Sequence, residues 1–284
     1  MSLPPSLRSK YYIDGHFSPV KIFSDDEMIK INKDYQRCVE KLGKDGVLEG
    51  DHRFKLHLLV KWAHQIVTHP SIVSAVKTVL DSPNIICWSS DLNIKSPRSR
   101  GHIPWHQDCA YSGLEPSDKV VTVWLALTQV TPDNGALSMW SGSHGEQLRH
   151  ETGDSDPDNT LILKQRIPDT ELEQLDTGDQ VLVTLEPGEV SLHSWRCVHK
   201  SGPNTTDQER VGLAIRYMTD EVQNIKSVVR ERAMLICGSG GQWWDLEEKA
   251  PKKDYGEKER GEHQESMERE KKNYLAGQES QEYK

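Results

Sequence analysis

The chain has 284 residues, with 35 Lys and Arg against 44 Asp and Glu, a formal net charge of −9 and 35% hydrophobic residues. That length fits one large domain with appendages. No basic block and no apolar run near the roughly 20 residues of a membrane span is present, so neither a nucleic-acid nor a membrane partner is expected. The five cysteines (Cys38, Cys87, Cys109, Cys197, Cys237) are odd in number and widely spaced, with no CxxC pair, as in a reducing compartment. Residues 1–12 lack the apolar stretch of a signal peptide, and Glu282-Tyr283-Lys284 is not an SKL-type address. The expected setting is the cytoplasm, with monomer and dimer both open.

Residues 1–80 read as helical. Ser24-Asp25-Asp26-Glu27 is a helix-start signal, followed by apolar residues near helical spacing at Met28, Ile31, Tyr35, Cys38 and Leu42. A second helix is expected over Leu56 to Thr68, ending before Pro70, and a third over Ile72 to Leu80. From about 85 to 218 the period changes to short apolar runs separated by turns, as in a sandwich or barrel. Val120 to Leu127 is an apolar strand, and Pro132-Asp133-Asn134-Gly135 is a turn. Gln180 to Leu185 and Val190 to Val198 flank Glu186-Pro187-Gly188-Glu189 and read as a hairpin. Val211 to Met218 is a further strand. The long polar segment Glu146 to Gln174 has the length of a functional loop such as a lid. Residues 219–244 read as helix or coil. The final stretch, 245–284, has 12 acids and 9 Lys/Arg in 40 residues, so it reads as a disordered or solvated-helix tail appended to a domain over 1–244.

The chemistry is concentrated in Trp105-His106-Gln107-Asp108. If these lie on a strand, His106 and Asp108 share a face and supply two-thirds of a 2-His-1-carboxylate triad, which holds Fe(II) and leaves positions open for cosubstrate and O2. The third ligand must come from a distant strand. The candidates are His193 and His199, six residues apart and so about 20 Å along a strand, too far for one iron to take both. His199 is chosen, because it sits at a strand end before a Ser-Gly-Pro-Asn turn, with Arg210 eleven residues on. Arginine suits a distal carboxylate because its planar fork binds bidentately. Arg216 is the rival cation, with the same strand parity but about 20 Å further along. His193 and Trp195 read as core or pocket wall.

In these residues the chain resembles the phytanoyl-CoA dioxygenase (PhyH) family of Fe(II)/2-oxoglutarate-dependent oxygenases. The carriers are His106-Gln107-Asp108, the run Val120–Leu127, Asn134-Gly135-Ala136-Leu137, Ser141-Gly142-Ser143-His144, and His199-Lys200-Ser201-Gly202-Pro203-Asn204 with Arg210. The resemblance covers about residues 20–220. It implies a mainly β fold, the double-stranded β-helix (jelly-roll, cupin-like), with N-terminal helices packed on one sheet. It implies His106, Asp108 and His199 as iron ligands, and Arg210 and Ser201 on the distal carboxylate of 2-oxoglutarate. Trp124 would line the cosubstrate pocket, and Asn93 would be a polar contact to it. Relatives also place a basic residue near Arg53–Lys55. Two positions depart from the pattern: Ser141 stands where relatives carry proline, and Lys200 where many carry glycine.

The implied reaction takes up O2, converts 2-oxoglutarate to succinate and CO2, and hydroxylates an unactivated C–H of a small molecule, with ascorbate as a supporting reductant. A carboxylate at 108 fills the place where halogenating relatives have a small residue, which favours hydroxylation. Desaturation, epimerisation or ring closure is the near alternative, and a non-catalytic metal-binding jelly roll the distant one.

Overall fold

Ser24 caps the longest N-terminal helix. Its hydroxyl accepts from the Glu27 amide at 3.4 Å, and the Glu27 carboxylate accepts in return from the Ser24 amide at 2.8 Å. In the computed structural model, which describes residues 3–43, 48, 50–175 and 178–279, this helix is α2 (Asp25–Leu42), preceded by α1 (Leu7–Asp14). The expected helix over Leu56–Thr68 divides into a 3-10 turn at Leu56–Leu58 and α3 (Lys61–Val67). The next, α4 (Pro70–Leu80), begins on Pro70, because proline fits the first helical position, where its missing N–H costs nothing.

Among the described residues, twelve strands follow or interleave: β1 (His16–Lys21), β2 (Ile85–Lys95), β3 (Ile103–His106), β4 (Leu114–Glu115), β5 (Val120–Ala126), β6 (Leu137–Trp140), β7 (Gln180–Val183), β8 (Glu189–Ser194), β9 (His199–Ser201), β10 (Arg210–Met218), β11 (Gln223–Asn224) and β12 (Met234–Cys237). They form a six-stranded sheet, β1-β8-β5-β10-β2-β12, facing a four-stranded sheet, β3-β9-β6-β7, with β4 and β11 as a separate pair. Short helices α5 (Cys109–Ser112) and α6 (Asp169–Leu172) lie in the connections. This is the expected jelly roll.

Alternation along the strands divides the large sheet into two faces. Val121, Val123, Leu125, Val190, Leu192, Val211, Leu213, Ile215 and Tyr217 pack with Ile72, Val76 and Val79 of α4, giving the helix-covered face. The intervening residues turn into the barrel, where Trp124, Ala126 and Ala214 meet Leu137, Met139 and Val183 of the small sheet.

Three expectations change. β7 and β8 are not a hairpin: β7 pairs with β6 and β8 with β5 and β1, so Glu186–Glu189 carries the chain from one sheet to the other. The large sheet gains edges from β1, inside the stretch read as helical, and β12, inside the stretch read as helix or coil.

The C-terminal segment is no detached tail. It forms α7 (Glu257–Glu279), and Glu248, Tyr255, His263, Ser266 and Asn273 are buried against the body. His263 Nε2 lies 2.9 Å from the Phe54 carbonyl, and the Asn273 side chain bonds the Val228 and Val229 backbone at 2.8–2.9 Å. Charged composition misleads here because a few long polar side chains reach buried partners while the rest face solvent. Residues 280–284 of the segment lie outside the described ones. No described helix is long and apolar enough to cross a membrane.

Candidate metal centre

β3 and β9 run antiparallel with His106 and His199 as register partners, their ring centroids 4.1 Å apart. Asp108 is not on that strand. β3 ends at His106, and Asp108 takes helical backbone angles at the start of α5. The pleat therefore does not bring His106 and Asp108 together; the turn into α5 does. Asp108 Oδ1 lies 3.5 Å from His106 Nε2 and 4.0 Å from His199 Nε2. The three donors stand within 4.8 Å of one another, all buried. Donors bonded at about 2.1 Å at right angles stand about 3 Å apart, so small side-chain movements close this set on an ion.

The donor chemistry fits a metal. His106 Nδ1 lies 3.0 Å from the Pro104 carbonyl, and His199 Nδ1 lies 2.9 Å from the Cys197 carbonyl. A carbonyl only accepts, so each Nδ1 carries the proton and each Nε2 offers its lone pair. Burial, reinforced by the neighbouring His106, pushes His199 down to about 4, leaving it a neutral ligand at neutral pH. The second Asp108 oxygen accepts from Thr122 Oγ1 at 3.4 Å.

Gln107, between the two ligand positions, ties the surroundings together. Its side chain donates to the Glu146 and Arg196 carbonyls at 2.9 and 2.6 Å and accepts from the Leu148 amide at 2.8 Å. Its own amide donates to His150 Nε2 at 2.9 Å. The start of the 146–174 segment is thereby fastened to the metal-ligand loop. A glutamine between two metal-ligand types was the signal in the sequence; its donor and acceptor ends allow both bonds.

Farther along the barrel lie the residues expected at the cosubstrate. Arg210 is buried with its guanidinium carbon 5.2 Å from the Trp124 ring centroid, and its Nε has no partner. Trp124 Nε1 donates to Asn93 Oδ1 at 3.3 Å. Gly212 makes room for that indole: a Cβ there would lie 1.9 Å from Trp124 Cζ2. Ser201 is buried with a partnerless hydroxyl. The structure thus brings Asn93, Trp124 and Arg210 into contact and, among the described residues, leaves two buried donors, Ser201 Oγ and Arg210 Nε, without acceptors.

Two residues stand elsewhere than sequence spacing implies. The chain turns sharply after β8, so His193 and His199 are not about 20 Å apart but have ring centroids 4.9 Å apart. His193 is buried beside the centre yet outside the set of three converging donors. Arg216 does lie further along β10 from Arg210, but this takes it to the metal. It is the register partner of Thr122, which in turn pairs with His193. Its guanidinium forms an ion pair with Asp91 and lies 5.9 Å from the Trp195 ring centroid. Lys55, in the stretch where a basic residue was expected, is fully buried and bonded to Glu248 at 3.1 Å.

The fold and the site together define a class: a jelly-roll enzyme with a two-histidine, one-carboxylate metal centre. The model of the phytanoyl-CoA dioxygenase (PhyH) family matches residues 22–212. A probable alpha-ketoglutarate-dependent hypophosphite dioxygenase of Stutzerimonas stutzeri is 27% identical over 84% of this chain and 84% of its own. An ectoine dioxygenase of Streptomyces avermitilis is 24% identical over 74% of this chain and 77% of its own. Among solved structures, the non-heme monooxygenase ThoJ in its apo form superimposes with a TM-score of 0.79 at 28% identity, covering 96% of this chain and 99% of that one. The chain belongs to the phytanoyl-CoA dioxygenase family. It is an enzyme of the Fe(II)- and 2-oxoglutarate-dependent oxygenases.

Proposed function

We propose that this enzyme hydroxylates an unactivated C–H of a small-molecule substrate, with His106, Asp108 and His199 holding the iron. The observation that carries the reading is the donor set itself: two imidazoles with their lone pairs turned to one point, and a carboxylate whose outer oxygen is held by Thr122. Bound iron supplies the oxidising chemistry that consumes O2 and 2-oxoglutarate. This chain's residues bind, orient and exclude water. Arg210 pairs with the distal carboxylate, Ser201 donates its free hydroxyl to it, Trp124 walls the cosubstrate on one side, and Asn93 holds Trp124. The carboxylate at 108 occupies the position a halide would need, which favours transfer of oxygen to substrate.

The test is a screen of candidate small molecules with the purified chain, Fe(II), 2-oxoglutarate and ascorbate, reading succinate and product mass together. The expected result is substrate-dependent succinate with gain of one oxygen atom, lost in Asp108→Ala. Equal succinate from wild type and Asp108→Ala, or a product lacking two hydrogens with no oxygen gained, overturns it.

A further inference from the structure

Lys95 and Arg210 are direct register partners on neighbouring strands, β2 and β10, and both are buried, at 6% and 2% exposure. Their side chains turn into the barrel. Two like charges set opposite each other on a sheet repel, and burial removes the water that would screen them. Proteins keep buried charges when something pairs with them. Here, among the described residues, nothing acidic does: burial alone acts on the Arg210 charge, and burial plus Arg210 on that of Lys95. Lys95 Nζ makes one bond, to the Gly101 carbonyl at 2.8 Å, which leaves two donors of the ammonium free.

The walls fit an anion. The Lys95 stem runs against Gly135, where an added Cβ would lie 2.6 Å from Lys95 Cδ and 2.7 Å from the Gly202 carbonyl. Ser201, next to Gly202 in the chain, has a buried hydroxyl with no partner among the described residues. Arg210 Nε likewise has none. Lys95 and Arg210 thus face each other as register partners, and the Lys95 stem and the Gly202 carbonyl, one residue from Ser201, approach the same side of Gly135.

We infer that Lys95 is a second cationic contact for the distal carboxylate of 2-oxoglutarate, gripping it from the β2 side while Arg210 grips it from β10. This rests on the reading of Arg210 given above. A carboxylate offers about four lone-pair sites, enough for an arginine fork, a serine and an ammonium together. Burial and the Arg210 charge push Lys95 down to about 7, and an anion docking between the two cations relieves both effects. The bland rival is a structural strap, with Lys95 merely fastening the Gly101 loop.

The experiment measures binding by calorimetry on the Fe(II)-loaded protein without O2, for wild type, Lys95→Gln and Arg210→Gln. The ligands are 2-oxoglutarate and 2-oxobutyrate, which lacks the distal carboxylate. Glutamine can still donate to the Gly101 carbonyl, so the strap survives this change. Expected is a loss of about ten-fold or more in 2-oxoglutarate affinity for Lys95→Gln, with 2-oxobutyrate binding unchanged. Unchanged 2-oxoglutarate affinity, or an equal loss for both ligands, overturns the proposal. If Arg210→Gln loses 2-oxoglutarate and Lys95→Gln does not, the Lys95 assignment falls and the Arg210 one stands. If Arg210→Gln binds 2-oxoglutarate as wild type does, the underlying reading of the pocket falls.

Discussion

The Lys55 ammonium lies 3.1 Å from the Glu248 carboxylate, with both side chains only 1% exposed. The pair joins the N-terminal part of the chain to the start of its C-terminal segment. His57 Nε2 lies 3.3 Å from the other Glu248 oxygen, Ser266 donates to the first at 2.6 Å, and Lys55 Nζ also reaches the Arg232 carbonyl at 3.0 Å. The Lys55 amide donates to Asp91 at 3.2 Å, and Asp91 pairs with Arg216 beside the metal centre. A continuous polar chain thus runs from α7 to the barrel interior. Removing one partner of a buried pair costs about 3–5 kcal/mol, because the other charge stays behind without water. Glu248→Ala should lose stability on that scale, and deleting 245–284 should lose more, exposing the surfaces under Tyr255, His263 and Asn273. Urea melts check this; a truncated chain with wild-type stability would show that α7 contributes nothing to the fold.

Stability at Glu248 also carries a pH signature. Burial opposes its charge, but Lys55 and the His57 hydrogen bond outweigh that and bring it down to about 2. A carboxyl lowered on folding stabilises the native state above its unfolded value, about 4.3, and that contribution fades as pH falls toward 2. Wild type should lose stability between these values more steeply than Glu248→Gln, which has no proton to take up. Parallel acid-denaturation curves for the two would remove the assignment.

Thr122→Val is the mildest test of the metal site. Valine keeps the shape but drops the bond to Asp108 Oδ2, freeing the carboxylate to rotate. Losing such an orienting partner typically weakens metal binding about 10- to 100-fold. Metal titration should show this with an unchanged melting temperature, whereas His106→Ala, Asp108→Ala or His199→Ala should lose stoichiometric iron altogether. Retention of one tightly bound iron by a ligand variant would sink the donor assignment.

Motifs survive translation into structure where the physics is local. The Ser24–Glu27 cap, the apolar run of β5 and the inward face of β10 follow from nearest neighbours and strand alternation. Partnership across the barrel does not. Glu186–Glu189 has the composition of a hairpin turn, yet the strands it joins pair with other strands, because a turn fixes where the chain reverses and not which sheet it enters. Spacing along a straight strand sets His193 and His199 far apart, whereas the bend after Ser194 brings their rings together. The C-terminal segment looked solvated because composition averages over residues, and Glu248 needs only one lysine to be buried.

The two inward arginines of β10 separate binding from architecture. Among the described residues no acidic group acts on the Arg210 charge, so it is available to a ligand, while Arg216 is already committed to Asp91. Arg210→Ala leaves the distal carboxylate of 2-oxoglutarate desolvated and unpaired, a loss of about 2–5 kcal/mol that should appear as a KM for 2-oxoglutarate raised about 30-fold or more. Iron binding should hardly change, because Arg210 is not among the converging donors. Lysine there should recover only part, since an ammonium cannot make two parallel bonds. Arg216→Ala should differ in kind. It strands Asp91 beside the centre and leaves the Trp195 face bare, so the loss belongs in stability and kcat, with the KM for 2-oxoglutarate near wild type. A 2-oxoglutarate titration of both variants at saturating iron, beside their urea melts, decides it. If the large KM effect follows Arg216, then β10 presents the wrong arginine to the cosubstrate, and the assignment moves to Arg216.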